Sequence, residues 1–209
     1  GVDLAGFRPE NRDNKLRKEL LKGADYLLVH CGRMSPEKEP ARSVQAVSEL
    51  VKAGVNVRLI IVGGGPLWNK IRKQSLGLPI EMLGYVASRE KVAGYLAAAD
   101  IAIAPGPLET FCLSALESLA SGTPVVASKS SAVGEILNIN SIRPAGAVAS
   151  DNGADFAIAI KQLLNKGRLR KVAREQAEKF SWANTVDAML DVHGAKQPMV
   201  TTKRRLKVA

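Results

Sequence analysis

Continuous apolar runs separated by helix-like segments constrain the fold of this chain more than any other feature. Tyr26–Cys31, Val57–Val62, Ile101–Ala104 and residues 125–127 lack the apolar and polar alternation of a strand that is exposed on one face. Such runs are typical of strands buried on both faces of a parallel sheet, in which helices form the crossovers. The alternation therefore predicts an α/β fold with a doubly wound, Rossmann-like parallel sheet.

Shorter segments complete the predicted secondary structure. Residues 79–86 and, less regularly, residues 146–149 are expected to add strands, so the sheet should have at least five. The segments between strands carry apolar residues at helical spacing. We expect helices at residues 14–22, 40–53, 89–98, 134–137, 153–165, 166–180 and 183–192, together with one that ends at Gln74 and one between Glu109 and Gly122.

Length and composition favour a single domain followed by a short tail. The chain has 209 residues, 46% of them hydrophobic, which is enough for one core of ordinary size. No apolar run reaches the roughly 18 to 20 residues that span a bilayer. We expect a Rossmann-like domain over residues 1–195 and a basic tail over residues 196–209. Because the chain opens on Gly1 without a signal segment, we also expect it to be the interior of a longer polypeptide.

The two cysteines indicate the compartment. Cys31 and Cys112 have neither the spacing of a metal site nor the density of a disulfide framework. A chain with so few cysteines and no signal segment suits a reducing environment. We therefore expect a cytoplasmic location.

The net charge of +10 lies partly at the carboxyl terminus, where the last nine residues contribute four Lys or Arg. A basic chain suits nucleic acid, an anionic membrane surface or an anionic substrate. Aromatic residues make up only 4% of the chain, which leaves little surface for base stacking, so we expect no nucleic acid partner. The tail itself has three interpretations: a solubilising end, an element that docks on a further domain, or a peripheral contact with an anionic membrane.

The glycine turn after the second strand does not match the familiar phosphate-binding patterns. Gly63, Gly64 and Gly65 permit positive φ and a close ligand approach. However, Trp68 stands where the dinucleotide pattern requires a third glycine, and no Gly-Lys-Ser/Thr follows. Both the dinucleotide site and the P-loop are therefore excluded. His30, near the end of the first strand, is expected to be a core histidine paired to the backbone.

The segment over residues 101–128 has the strongest indication of a ligand site. An apolar strand runs into a Pro/Gly loop that carries Glu109, and a helix-like segment carries Glu117 eight positions later. The first turn of such a helix presents unpaired N–H groups and the positive end of the helix dipole, which favours phosphate. Arg33 and Lys38 follow the first strand, so parallel topology places them at the same edge of the sheet. Two cations beside a helix terminus suit a diphosphate.

The two glutamates favour a ligand with hydroxyl groups at both ends. Carboxylates beside a diphosphate would repel it unless they faced away, toward hydroxyl groups. Eight helical residues rise about 12 Å, which matches the span from a sugar across a diphosphate to a ribose. A nucleotide sugar has this form. Spacing alone leaves open the alternative of a capped helix start followed by one exposed glutamate.

Several motifs, in this order along the chain, resemble those of the retaining glycosyltransferases of family 4. Residues 109–117 resemble the E-x7-E motif of that family, and residues 121–127 resemble the strand that follows it. Residues 32–38 resemble the diphosphate loop, and residues 83–86 the segment beside the base. The resemblance covers nearly all of residues 1–193. It implies the C-terminal, donor-binding half of a two-domain enzyme of the GT-B fold.

The resemblance also implies a role for each motif residue. Arg33 and Lys38 would hold and neutralise the leaving diphosphate. Glu109 would contact sugar hydroxyls and Glu117 the ribose, so that catalysis is expected from Arg33, Lys38 and Glu109. The other expected donor contacts, several of them through the backbone, are Gly32, Tyr85, Val86, Thr110, Phe111, Cys112 and Leu113. Cys112 stands where the family usually has glycine, and its side chain is expected either to narrow the phosphate approach or to expose a thiol to alkylation.

The sequence is most similar to the GDP-mannose-dependent α-mannosyltransferases that act on membrane glycolipids. This implies a hexosyltransferase with a lipid-linked acceptor, which works at the inner face of the plasma membrane together with an N-terminal GT-B domain. This half alone would bind donor with little or no transfer. No Asp-x-Asp occurs in the chain, so we expect no metal and no cofactor. Two alternatives stay open: a UDP-sugar donor, and a non-catalytic Rossmann-like binding module.

Overall fold

The computed structural model describes residues 1–167 and 169–194 of the chain. The strands in this part are β1 Tyr26–Cys31, β2 Val57–Val62, β3 Ile80–Gly84, β4 Ile101–Ala104, β5 Val125–Ser128 and β6 Gly146–Ala149. The helices are α1 Asn14–Leu21, α2 Pro40–Lys52, α3 Trp68–Gln74, α4 Arg89–Ala98, α5 Leu113–Ala120, α6 Val133–Ile136, α7 Gly153–Asn165, α8 Arg170–Glu178 and α9 Trp182–Val192. The basic tail predicted at residues 196–209 lies outside the described residues.

The strands form one parallel sheet in the order β3-β2-β1-β4-β5-β6. The chain builds outward from β1 to β3 on one side and then returns to the other side of β1 with β4. The order of strands therefore reverses between β1 and β4. In open α/β sheets a ligand crevice forms at such a switch point, outside the carboxyl ends of the strands.

Helices cover both faces of the sheet, which confirms the predicted doubly wound arrangement. One apolar core lies under α1, α4, α5 and α8, and the other lies under α2, α3 and α7. Consecutive side chains of β1 alternate between them: Leu27 and Val29 join the first core, and Leu28 joins the second. All three are fully buried. The continuous apolar runs in the sequence arise because both faces of each central strand need apolar side chains.

Helix boundaries differ most from the predicted ones after residue 165. A helix was expected over residues 166–180, whereas α8 covers only Arg170–Glu178. Leu169, the residue before this helix, packs against the apolar cores on both faces of the sheet. None of the helices in the described part of the chain combines the length and hydrophobicity needed to cross a bilayer.

Arginine side chains close the amino edge of the sheet. Arg12 donates hydrogen bonds to all three carbonyl oxygens of residues 97–99, at 2.9–3.2 Å. Arg170 donates to the first and last of these carbonyls, and Arg17 pairs with Asp100 at 2.8 Å. These bonds satisfy acceptors that the end of α4 would otherwise leave unpaired. A cavity of about 450 Å³ lies beside this cluster.

Candidate functional site

The loops that follow β1 and β4 meet at the switch point of the sheet. The first loop contains a short 3₁₀ turn at Pro36–Lys38, and the second leads from β4 to α5. Between them lies a cavity of about 30 Å³, here named the switch-point cavity. Its lining includes His30, Cys31, Lys38, Glu109, Cys112 and Ser114.

Lys38 and Glu109 form an ion pair at this cavity. The Nζ atom of Lys38 lies 2.5 Å from Oε1 of Glu109. The two side chains are 33% and 13% exposed. Charge-assisted hydrogen bonds are strong where solvent is partly excluded. Lys38 was expected to bind the diphosphate of the donor and Glu109 the sugar hydroxyls. In the structure these two side chains bind each other.

Gly106 allows the two loops to approach closely enough for this pair. A Cβ atom at position 106 would lie 2.8 Å from the carbonyl oxygen of Glu37 and 3.3 Å from Cα of Lys38. Both neighbours are backbone atoms, so neither can move aside without shifting the 3₁₀ turn. The Lys38–Glu109 pair therefore depends on the absence of a side chain at Gly106.

Arg33 lies at the rim of the site. Its side chain is 67% exposed, and its Nη2 atom lies 2.5 Å from Oε1 of Glu37. Its Nε–H donates to Oγ of Ser35 at 3.2 Å. Hydrogen bonds from Ser35, from the backbone and from Arg33 lower the pKa of Glu37 to about 2. Contacts with Glu37 and Ser35 therefore hold the exposed Arg33 side chain at the rim of the loop after β1.

The loop after β2 packs directly on the loop after β1. The Met34 N–H donates to the Gly64 carbonyl at 2.8 Å. Gly63 has a φ of +136°, and a Cβ atom there would lie 1.9 Å from the carbonyl oxygen of Gly32. The glycine turn that we expected to permit close ligand approach is thus approached by the backbone of the chain itself.

The helix that follows Glu109 begins later than predicted. Cys112, the residue before α5, has φ 45° and ψ 78°, in the left-handed region that residues with a Cβ atom rarely adopt. The helix therefore starts at Leu113, and Glu117 is its fifth residue. The predicted helical rise of about 12 Å between the two glutamates is wrong, because the first half of that spacing is loop.

The thiol of Cys112 is buried in the wall of the switch-point cavity. Burial raises the pKa of this thiol, and the negative charge of Glu109 acts in the same direction. The Sγ atom lies 3.5 Å from Oγ of Ser114. A buried neutral thiol is a poor nucleophile, so the expectation of a thiol exposed to alkylation is wrong. That the side chain narrows the phosphate approach stays a prediction.

Glu117 projects from the second turn of α5 and is 18% exposed. Burial raises the pKa of its carboxyl, an effect that the positive charge of Arg89 opposes. Arg89 lies 3.7 Å from Glu117 and 3.9 Å from Asp3, and its guanidinium stacks over the ring of Phe7 at 5.1 Å. Arg89 was not predicted as a site residue, because no local pattern separates it from other cations on exposed helix faces.

The remaining predicted donor contacts differ in exposure. Phe111 packs edge-on against Phe180, with ring centroids 6.3 Å apart, and Val86 packs against the core. The exposed ones are Tyr85, Thr110 and Leu113. The predicted residues that line the switch-point cavity are Gly32, Lys38, Glu109 and Cys112. The structure therefore brings part of the predicted set together and leaves the rest around it.

Arg42 holds the start of the loop between β4 and α5 in place. Its Nη1 atom donates to the carbonyl oxygen of Pro105 and to Oδ1 of Asp151, the latter at 3.2 Å. The same carboxylate accepts a hydrogen bond from Ser128 at 2.5 Å. The network fixes the start of the loop that leads to Glu109. This network was not predicted from the sequence, because Pro105 and Asp151 lie 63 and 109 positions from Arg42.

His30 is buried beside the site, with 2% of its surface exposed. Its Nδ1 atom lies 2.9 Å from Oγ of Ser43 on α2, so the predicted pairing to the backbone is wrong. Burial, reinforced by the charge of Lys38, lowers the pKa of His30 to about 4, and the ring is therefore neutral at pH 7. Its Nε2 atom is also buried and has no hydrogen-bond partner among the described residues.

Comparison with known proteins decides the family. The family profile described as Glycosyl transferases group 1 matches residues 11–180. This chain belongs to the group 1 glycosyltransferases.

Two curated relatives are similar in sequence to this glycosyltransferase over most of its length. It is 44% identical over 197 residues to the GDP-mannose-dependent alpha-(1-6)-phosphatidylinositol dimannoside mannosyltransferase of Mycobacterium tuberculosis (strain ATCC 25177 / H37Ra), over 93% of this chain and 51% of that protein. It is 31% identical over 216 residues to the D-inositol 3-phosphate glycosyltransferase of Nocardioides sp., over 92% of this chain and 46% of that protein. The glycosyltransferase thus spans about half the length of the curated relatives it matches.

Solved structures support the fold. The Anabaena protein Alr3699/HepE, in complex with UDP, matches with a TM-score of 0.77 at 21% identity, over 94% of this chain and 56% of that one. The sucrose-phosphate synthase of Thermosynechococcus elongatus matches with a TM-score of 0.75 at 24% identity, over 93% and 50%. The prediction of a Rossmann-like half of a GT-B glycosyltransferase is therefore confirmed.

Proposed function

We propose that this chain is the donor-binding half of a retaining α-mannosyltransferase that uses GDP-mannose and serves transfer to a lipid-linked acceptor. The observation that carries the proposal is the Lys38–Glu109 pair at the switch point of the sheet, with Arg33 at its rim. A cation and a carboxylate at this place suit the two parts of a nucleotide sugar, an anionic diphosphate and a sugar rich in hydroxyls. The 44% identity to a GDP-mannose-dependent enzyme supports GDP-mannose as the donor.

Donor binding exchanges the partners of the ion pair. The diphosphate takes Lys38 from Glu109, and Arg33 turns from Glu37 to the same diphosphate. The released carboxylate of Glu109 accepts hydrogen bonds from sugar hydroxyls. Because each charged group passes from one partner to another, neither Lys38 nor Glu109 is left buried and unpaired, which would be costly.

The same cations act in the chemical step. As the bond between sugar C1 and the diphosphate breaks, Lys38 and Arg33 stabilise the negative charge that develops on the leaving group. The acceptor hydroxyl oxygen forms its bond to C1 from the face that the diphosphate leaves, and it loses its proton to a base for which we assign no residue. That no metal and no cofactor take part stays a prediction.

The acceptor site is proposed to lie on another domain. Because the chain spans about half the length of its curated relatives, the acceptor site and part of the cleft are assigned to an N-terminal GT-B domain. The mycobacterial relative is named for a phosphatidylinositol dimannoside, which supports a lipid-linked acceptor. Peripheral attachment at the cytoplasmic face of the plasma membrane follows as a proposal. This chain alone is expected to bind donor with little or no transfer.

Calorimetric titration with GDP-mannose, GDP, UDP-glucose and UDP tests the donor. We expect GDP-mannose and GDP to bind at least about tenfold more tightly than the uridine nucleotides, a difference of about 1.4 kcal/mol. A preference for UDP would replace mannose by a UDP-sugar donor. Binding of none of the four would contradict the enzyme proposal and favour a non-catalytic module.

A matched pair of variants tests the site. Glu109→Gln and Glu49→Gln each remove a carboxylate that pairs with a lysine, since Glu49 lies 2.8 Å from Lys52 on the exposed face of α2. Only Glu109→Gln is expected to weaken GDP-mannose binding, because only Glu109 faces the proposed sugar. An equal, small effect of both variants would place the cleft elsewhere.

A further inference from the structure

The switch-point cavity contains one polar atom for which the proposed donor contacts give no role. The Nδ1 edge of the His30 ring is held by Ser43. The opposite edge faces the carboxyl end of β1, because a Cβ atom at Gly32 would lie 3.7 Å from Nε2 of His30. Both His30 and Gly32 line the cavity. The unpartnered Nε2 atom thus lies on the side of the ring that is nearest to Gly32, at the same end of the sheet as the cavity.

Nε2 of His30 can form one further hydrogen bond, and the cavity has room for one oxygen atom. A buried ring nitrogen without a partner costs free energy, and native proteins leave few such atoms. Among the described residues, His30 is the one with such an atom that also lines the switch-point cavity. The cavity volume of about 30 Å³ is enough to hold a group of the size of a water molecule.

We infer that Nε2 of His30 is a contact for one oxygen of the nucleotide-sugar donor, in a subsite beneath the Lys38–Glu109 pair. The inference rests on the proposed function. Lys38 and Glu109 line the same cavity, so the exchange of partners that admits the donor also opens this subsite. The oxygen belongs to the diphosphate or to a sugar hydroxyl, and both form hydrogen bonds with a ring nitrogen.

Ser43 lets the neutral ring serve either kind of oxygen. When the Ser43 hydroxyl donates to Nδ1, the proton lies on Nε2, which donates to an acceptor such as a phosphate oxygen. When Nδ1–H donates to Ser43, Nε2 accepts from a hydroxyl. An ionised phosphate oxygen has no proton to donate. An accepting Nε2 in the complex therefore identifies a sugar hydroxyl.

Two substitutions separate the two edges of the ring. His30→Asn keeps a polar atom near the position of Nδ1 and thus a partner for Ser43, whereas His30→Gln places one near the position of Nε2. We expect His30→Asn to weaken GDP-mannose binding by about fivefold to tenfold, the effect of one lost hydrogen bond. We expect His30→Gln to bind about threefold more tightly than His30→Asn. Calorimetry on the whole chain measures both.

Ser75→Ala controls for lost stability. The hydroxyl of this buried serine donates to the Ile71 carbonyl at 2.9 Å, beyond the end of α3 and close to the start of β3. We expect this variant to unfold at lower urea concentration with unchanged donor affinity. Wild-type affinity in His30→Asn, measured where both proteins are folded, overturns the inference. An equal loss in both His30 variants also overturns it.

GDP and GDP-mannose distinguish the two sources of the oxygen. If His30→Asn weakens the binding of both ligands, the oxygen that contacts Nε2 belongs to the diphosphate. If it weakens the binding of GDP-mannose alone, the oxygen is a sugar hydroxyl. The ¹⁵N chemical shifts of the His30 ring give a readout without substitution, because binding should fix one tautomer. Shifts that do not change at saturating GDP-mannose mean that water alone fills the cavity, and they overturn the inference. If the wild type binds none of the nucleotides, the proposed function itself fails.

Discussion

The two edges of the same sheet carry similar polar groups in different states. At the amino edge, Arg12 and Arg170 direct their N–H groups to carbonyl oxygens at the end of α4 and at Ser121. At the carboxyl edge, Lys38 pairs with Glu109, and His30 keeps one buried nitrogen without a partner among the described residues. The guanidinium groups of the first cluster are bonded within the protein, although the buried Oγ atom of Ser121 beside them has no partner among the described residues. We propose that the second is fully satisfied when a ligand binds.

Cavity volume favours the edge opposite to the one that we propose as the donor site. The cavity beside the arginine cluster measures about 450 Å³, whereas the switch-point cavity measures about 30 Å³. Hydrogen-bond partners distinguish the two edges better than volume does, because a structural cluster uses its donors internally and a binding site retains some for its ligand. This difference can be tested by removing one group at a time from each edge.

The largest effect is expected at the amino edge, and on stability alone. Arg170→Ala removes three hydrogen bonds from a charged donor, including the one to Ser121. We expect the free energy of unfolding in urea to fall by about 3 kcal/mol, because Arg12 still satisfies the other two carbonyls. GDP-mannose affinity should not change where the variant is folded. Lys171→Ala, on the exposed neighbour, should change stability by less than about 0.5 kcal/mol. An affinity loss in Arg170→Ala would break the comparison.

A pH-dependent effect comes next, at His30. The pKa of histidine is about 6.5 in the unfolded chain and about 4 for His30 in the folded one. Between these values the unfolded chain binds a proton that the folded protein does not. The free energy of unfolding should therefore fall by about 3 kcal/mol as the pH drops from about 6.5 to 4. His30→Gln should lack this component, so the difference between wild type and variant isolates it. Parallel stability curves for the two proteins would mean that the ring is not buried as described.

Lys38→Ala should act mainly on binding. We expect GDP affinity to fall about 30-fold, or about 2 kcal/mol, because a charge-assisted hydrogen bond to the diphosphate is lost. The matched control is Lys52→Ala, which removes an exposed lysine that also pairs with a glutamate. Calorimetry at two salt concentrations should show a weaker salt dependence for Lys38→Ala only. Unchanged GDP affinity would mean that the Lys38–Glu109 pair, like the arginine cluster, stabilises the fold and does not bind the donor.

The smallest effect is expected for Glu117→Gln, with opposite signs for binding and stability. Burial raises the pKa of Glu117, so the folded protein disfavours the carboxylate. The stabilising contribution of this group is present below the ordinary pKa of glutamate and is lost as the pH rises through the raised pKa. At pH 7 the variant should therefore be more stable than the wild type, yet bind GDP about fivefold more weakly. Glu175→Gln, on an exposed face of α8, should do neither. A loss of stability in Glu117→Gln would refute this assignment.

The sequence was sufficient to predict most of the fold. Strands such as Ile101–Ala104 are apolar on both faces, and that pattern is a direct consequence of burial between two helical layers. The start of α5 was not predictable in the same way, because a left-handed cysteine at position 112 has no signature in the apolar periodicity. The start of α8 was likewise not predictable, because Leu169 before it packs against two cores at once.

The site was predictable in its residue types and much less in its contacts. Arg33, Lys38 and the two glutamates were identified from loop position and family motif. The pairing of Lys38 with Glu109 joins residues 71 positions apart, and the support from Arg42 spans more than 60. Such contacts depend on how loops from separate strands meet, which local sequence does not encode. The contact of Arg89 with Glu117 was not predicted for the same reason.

The close approach of Gly63 to Gly32 limits how this site can be engineered. With only hydrogen atoms between the two backbones, the loop that carries Arg33 and the loop after β2 form a single unit that must be exchanged together. A chimaera that receives a loop with a side chain at position 63, and keeps the loop after β1, would clash at this contact. Recombination libraries should therefore place their crossovers outside both loops.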